Sequence, residues 1–170
     1  MDADELDFLT VADAAALLAS RRLSAVELLD AVLDRLDATE PHLHAYCAVD
    51  GDGARAAARH ADQHPEEGGL LRGIPFGAKD VFWTADLPTT CGSASLAGWR
   101  APADAAAVGL LKAAGAVLVG KQVTHEFACG QDVPPTRNSW SPECYPGGSS
   151  AGSAVSTAVG SSLFSIGTDA

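Results

Sequence analysis

The sequence predicts an α/β fold, a parallel or mixed sheet covered by helices and entered through a helical N-terminal segment. Three observations predict it. Residues 1–66 hold most of the acids and almost no glycine, whereas residues from Gly68 onward are rich in Gly, Ser, Thr and Pro. Capping patterns and apolar residues at helical spacing recur through the first part. In the second part, a helix pattern ending on Gly115 runs directly into the apolar, β-branched stretch Ala116–Gly120. Helix, glycine and buried strand in immediate succession make an αβ unit.

The elements follow in order. Thr10 and Asp13 form a T-x-x-D start, with Val11, Ala14, Leu17 and Leu18 on one face. Ser24 and Glu27 form a capping box, and Val26, Leu29, Val32, Leu33 and Leu36 then recur at helical spacing. Asp30, Asp34 and Asp37 fall on the other side and read as a solvated face. Pro41 is expected to end this helix. An alanine-rich helix spans about Asp50 to Asp62, closed by the stretch Pro65–Gly69. Ile74–Ala78 and Val81–Trp83 are short apolar runs of strand type. Asp104 is expected to cap a helix running to Ala114, with Gly115 as its stop. Gln131–Pro146 reads as a long loop marked by Pro134, Pro135, Pro142 and Pro146. A small-residue helix opens within Gly147–Ser153 and runs to about Gly160, and Leu163–Ile166 is another buried strand.

Composition bounds what such a fold can do. The chain has 170 residues, a length for one domain, and 47% apolar residues, enough for a packed core. Its net charge is −11 and no basic stripe occurs, which argues against a nucleic-acid reader and against docking on an anionic membrane. No apolar run reaches eighteen residues, and the acidic N-terminus lacks the basic region of a signal peptide, so a cytoplasmic protein is expected. Cys47, Cys91, Cys129 and Cys144 fit neither a disulfide framework nor a zinc ribbon. Four buried thiols, no metal and no cofactor are the expectation.

Two stretches carry chemistry. Lys79 stands at the end of an apolar run in Gly73-Ile-Pro-Phe-Gly-Ala-Lys-Asp80. Desolvation there lowers a lysine's pKa and yields a neutral amine, a general base. An ion pair with Asp80 or a stem that snorkels to water is the ordinary alternative, and spacing leaves both open. The second stretch is Gly147-Gly-Ser-Ser-Ala-Gly-Ser153. It lacks the lysine of a phosphate loop and the spacing of a dinucleotide fingerprint. What remains is a glycine turn that exposes hydroxyls, with an N-cap by Ser149 or Ser150 as its structural reading. His125 and Glu126 lack the second histidine of a zinc-protease motif. Gly148–Gly152 matches a nucleophile elbow only loosely, because a Pro-rich loop precedes it where a strand is needed.

Together, G-I-P-F-G-A-K-D at 73–80, P-G-G-S-S-A-G-S-A at 146–154 and G-T-D at 167–169 resemble the amidase signature family of serine hydrolases. Leu23–Leu28, Gly115–Lys121 and Glu126-Phe-Ala support the match, which extends from about residue 8. The resemblance implies a mixed, largely parallel sheet in an incomplete amidase-signature fold, with helices over 1–66 and the start of the α/β core over 67–170. It implies a Ser-cisSer-Lys triad, with Lys79 as the base and Ser149 as the bridging serine after a cis peptide bond. It places Ala170 as the first residue of the oxyanion turn. The family's nucleophile lies in G-T-D-x-G-G-S, three positions past Ala170, so the 170 residues alone are expected to be inactive. Ala151 stands where glycine is usual, a change expected to be tolerated.

The implied activity is hydrolysis of a carboxylic amide of a small molecule. Alternatives are the A subunit of a glutamine-dependent tRNA amidotransferase and a truncated, non-catalytic product that binds a partner through its open sheet. The loop Gly130–Asn138 departs from the amidotransferase pattern and favours a stand-alone amidase. A homo-oligomer is compatible with the sequence, through packing of the acidic N-terminal helices.

Overall fold

The computed structural model describes residues 9–130 and 132–169. Two helices open the chain, α1 (Val11–Ala19) and α2 (Ala25–Leu43). The Thr10 hydroxyl accepts the Asp13 N–H at 3.1 Å, and Ser24 and Glu27 make a complete capping box. Both starts follow the sequence. Pro41, however, lies inside α2, which continues to Leu43. In the last turn proline removes one N–H and breaks nothing downstream. His44, in the left-handed region, then caps the helix. The Glu40 carboxylate leads the chain onward by accepting the N–H groups of Ala45 and Tyr46, each at 3.0 Å.

Strand β1 (Tyr46–Val49) follows, an element the periodicity did not announce. Helix α3 (Gly51–Gln63) is capped by Asp50, close to expectation. Strand β2 (Pro75–Lys79) is buried along its whole length. The run Val81–Trp83 is not a strand. The Phe82 N–H bonds the Lys79 carbonyl at 2.9 Å and turns the chain away from the sheet. Helix α4 (Ala106–Ala113) starts later than expected, and Asp104 does not cap it. That carboxylate is occupied by the Ala85 N–H at 2.8 Å and by Lys112 at 2.9 Å. Gly115, at φ +90°, supplies the stop. Strand β3 (Val117–Gln122), helix α5 (Ala151–Ala158) and strand β4 (Phe164–Ile166) complete the order. Residues 132–146 hold no helix or strand, as the loop reading expected.

The sheet order is β1-β3-β2-β4. Strand β2 runs parallel to both β3 and β4, and β1 is antiparallel to β3, so the sheet is mixed and largely parallel. Between β2 and β3 the register steps by one residue, with Phe76 opposite Leu118 and Gly77 opposite Gly120. One core joins α1, α2 and α3 to Val117, Val119 and Val155. A second joins Phe76, Ala78 and Leu118 to Val108 of α4 and to Leu87. Central strands buried on both faces are what a helix-covered parallel sheet requires.

The thiols depart from expectation. Cys47, Cys129 and Cys144 are exposed and Cys91 is half-buried. Cys47 lies on an edge strand and the others lie in connecting segments, outside both cores. Among the described residues, no helix is long and apolar enough to cross a membrane.

Candidate active site

Lys79 is the last residue of β2, with no solvent exposure. Its Nζ lies 2.6 Å from Ser149 Oγ and 2.6 Å from Thr168 Oγ1. No carboxylate among the described residues pairs with it. Burial therefore pushes the Lys79 ammonium below the ordinary lysine range.

Asp80 explains that absence. Side chains alternate along a strand, so Asp80 leaves β2 on the side opposite Lys79. There its Oδ1 lies 2.8 Å from Lys121 Nζ, and its Oδ2 accepts the Thr90 hydroxyl at 2.5 Å and the Thr90 N–H at 3.0 Å. Lys121 also donates to Thr89 Oγ1 at 2.7 Å and to the Pro88 carbonyl at 3.2 Å. Both members of the pair are fully buried. Lys121 belonged to a matched stretch of sequence, but nothing in its local pattern marked it as the partner of Asp80.

Ser149 is placed by the segment that enters α5. The Gly148–Ser149 peptide is cis, as the resemblance implied. Gly147 has φ +90°, a conformation open to glycine. Ser150 occupies the N-cap position but makes no side-chain cap bond. Its hydroxyl instead bridges to Thr168, donating to the carbonyl at 3.2 Å and accepting the N–H at 3.3 Å. Ala151 is buried in the first turn of α5 and is accommodated there. Gly152 presses on the strand ends, its N–H bonded to the Val123 carbonyl at 3.0 Å. A Cβ at that position would lie 2.2 Å from the Ala45 carbonyl oxygen.

Thr168 is the residue that sequence reasoning placed in a motif without giving it a task. Its hydroxyl shares Nζ of Lys79 with Ser149. Ala170, expected in the oxyanion turn, lies outside the described residues. Among the described residues, His125 and Glu126 join no cluster of metal-ligand side chains. His125 Nδ1 is bonded to the Gly130 carbonyl at 2.9 Å, and Glu126 accepts the Ser93 hydroxyl at 2.6 Å.

The arrangement suits proton relay. The buried amine has two hydroxyl partners and, among the described residues, no counter-ion, a setting in which an amine can take and return protons. The site lies on the open C-terminal side of β2. A groove of about 750 Å³ elsewhere, lined by residues including His60, Arg72 and Lys112, contains neither Lys79 nor Ser149. At the end of α3, His64, Glu66 and Glu67 place three ligand-type atoms within 4.8 Å of one another. These side chains are largely exposed, with His64 Nδ1 3.5 Å from Glu66 Oε1 and 4.0 Å from Glu67 Oε1.

A mixed sheet thus carries, at the C-terminal end of an internal strand, a buried lysine beside a serine-glycine turn. The chain belongs to the amidase family, whose model, described as Amidase, matches residues 27–170. It is 45% identical over 168 residues to the A subunit of a glutamyl-tRNA(Gln) amidotransferase from Acidothermus cellulolyticus, covering 94% of this chain and 33% of that protein. It is 47% identical over 173 residues to the protein of the same name from Chloroflexus aurantiacus, covering 97% and 36% respectively. Among solved structures, the peptide amidase of Stenotrophomonas maltophilia superposes with a TM-score of 0.83 at 34% identity, over 90% of this chain and 34% of that one. An amidase family protein from Bacillus anthracis superposes with a TM-score of 0.90 at 28% identity, over 98% and 36%. The chain thus spans about a third of the length of the relatives it matches.

Proposed function

We propose that this chain supplies the base and the bridging hydroxyl of a Ser-cisSer-Lys amide hydrolysis. The observation that carries the reading is the 2.6 Å contact between Lys79 Nζ and Ser149 Oγ, on a lysine without a counter-ion among the described residues. Neutral Lys79 takes the proton of Ser149 while Ser149 takes that of the nucleophilic serine, three positions past Ala170. The serine oxygen bonds to the amide carbonyl carbon. Backbone N–H groups of the turn starting at Ala170 hold the oxyanion. As the C–N bond breaks, the proton returns through Ser149 to the departing amine or ammonia. Water then attacks the acyl ester by the same relay and releases the acid. The domain is one unit, with residues 1–66 as its helical entry, which also gives the sheet its strand β1, and 67–170 as the start of its α/β core.

The test compares amide hydrolysis by the 170 residues with that by a version extended through G-G-S and the rest of the fold. The extended version is expected to release acid and amine, and the 170 residues none. Turnover by the 170 residues would remove the proposed nucleophile.

A second reading makes glutamine the amide and the protein one component of an amidotransferase, with ammonia passed to a misacylated tRNA alongside further subunits. The 45% and 47% identities to proteins named as the A subunit of such an enzyme favour it. The loop Gly130–Asn138 favours a stand-alone amidase. Glutamine-dependent ammonia release that rises on adding the partner subunits decides for the second reading. Hydrolysis of simple amides with no response to them decides for the first.

A further inference from the structure

The hydrogen bonds around Gly148 identify two residues that the relay above does not use. The main-chain N–H of His125 donates to the Ser149 carbonyl at 3.2 Å. The His125 ring is held from both sides. Nδ1 faces the Gly130 carbonyl at 2.9 Å, and a carbonyl only accepts, so Nδ1 carries the proton and Nε2 the lone pair. The Tyr145 hydroxyl meets Nε2 and is therefore the donor. Tyr145 is half-exposed, and what burial it has, together with the Asp132 charge, pushes its phenol above the ordinary tyrosine range.

Gly148 lies against this pair. A Cβ on it would stand 2.2 Å from His125 Nε2 and 2.6 Å from the Tyr145 oxygen. The neighbouring Gly147 has open space where its Cβ would go. Gly147 is thus glycine for its backbone angle, and Gly148 for the closeness of the imidazole and phenol. The loop that carries Tyr145 is itself tied to the end of α2. The Thr136 hydroxyl donates to the His44 carbonyl at 2.7 Å and the Arg137 N–H to the Leu43 carbonyl at 2.8 Å.

We infer that His125 and Tyr145 are positioning residues that clamp the Gly148–Ser149 peptide and so aim the Ser149 hydroxyl at Lys79. The inference rests on the roles given above to Lys79 and Ser149. His125 acts twice, through its main-chain N–H on the Ser149 carbonyl and through its ring, with Tyr145, on Gly148. Neither side chain needs to touch the substrate. A displacement of about 1 Å at a relay group costs up to about 10²-fold in rate.

The test uses the full-length amidase that carries this sequence, with amide hydrolysis followed by product release. His125→Ala is expected to lower kcat about 10- to 100-fold with KM within about 3-fold. His125→Gln, whose side-chain oxygen can accept from Tyr145, is expected to recover most of the loss. Tyr145→Phe, a change at a half-exposed position, is expected to lower kcat about 3- to 10-fold with the thermal midpoint unchanged. Wild-type kcat in Tyr145→Phe and His125→Ala, with Lys79→Ala inactive, would overturn the clamp and leave the relay standing. Loss of activity that tracks loss of folded protein in Tyr145→Phe, with no rescue by His125→Gln, would also overturn it. Activity retained in Lys79→Ala and Ser149→Ala would instead remove the relay, and the clamp with it.

Discussion

Lys79 and Asp80 are consecutive, yet each is bonded away from the other, Lys79 to Ser149 at 2.6 Å and Asp80 to Lys121 at 2.8 Å. Strand alternation separates the two side chains, and the buried pair on the far side satisfies the aspartate. An ion pair within the dipeptide would hold Lys79 as an ammonium. With Asp80 occupied elsewhere, burial lowers the pKa of Lys79 with no carboxylate among the described residues to oppose it.

Replacing Lys79 with Ala in the full-length enzyme is expected to cost on the order of 10²–10⁴-fold in kcat, the usual worth of a positioned base. Folding should survive with some loss of stability, because the change empties a fully buried position and frees two hydroxyls but strands no charge. Steady-state kinetics alongside a circular-dichroism melt checks both halves. A near-wild-type rate with a normal melt would contradict the assigned role.

The pH profile carries a sign. The base works as the neutral amine, so activity falls as pH drops through the lowered pKa of Lys79. Thr168 accepts from Lys79 at 2.6 Å and so favours the charged form. Thr168→Val removes that acceptor and is expected to move the acid limb of kcat/KM to lower pH. An acid limb that stays in place or moves up would show that the Thr168 hydroxyl does not act on the amine.

Lys121→Met leaves Asp80 buried without its partner, and loss of one member of such a pair costs about 3–5 kcal/mol. Adding Asp80→Asn removes the stranded charge and should restore a large part of that loss. Urea unfolding of the two single variants and the double variant gives the coupling. A double variant as unstable as Lys121→Met would mean that the pair's charge is not what the site needs.

Gly152→Ala puts a methyl 2.2 Å from the Ala45 carbonyl oxygen and 2.5 Å from the Val123 nitrogen, both main-chain atoms. Helix α5 must shift, and Ser149 shifts with it. The variant should therefore lose stability by about 1–3 kcal/mol and also lose activity in the protein that remains folded. Activity per folded molecule, with the folded fraction measured by melting, separates the two effects.

Much of this site was legible because its signals are local. Ser24 and Glu27 set one helix start within four residues, and Lys79 and Ser149 sit in short stretches whose residue types are unusual together. What escaped depends on contacts between distant segments. Asp104 looks like a cap until Ala85 and Lys112 take its carboxylate. Pro41 looks like a terminator until Glu40 is seen carrying the chain past the helix end. Strand β1 is four residues long and owes its existence to an antiparallel partner more than seventy residues away. Lys121, in β3, and Thr168, two residues past β4, meet their partners only when the sheet brings those strands beside β2.

The register step between β2 and β3 reaches further than pairing. Val119 packs with α2 and α3, yet Gln122, three residues on, bonds Ser156 of α5, and Lys121 between them faces Asp80 on the other side. Strict alternation from Val119 would send Lys121 to the Lys79 side and Gln122 away from it. The extra residue therefore works as a parity switch that sorts two cationic side chains onto opposite faces of the sheet. Straightening β3 with both Val119 and Gly120 kept would undo that sorting: it would set two ammonium groups on one face and strand Asp80 on the other, although the sequence would be unchanged. Deleting one of the two residues would instead remove the step and leave Lys121 opposite Ala78, on the Asp80 side.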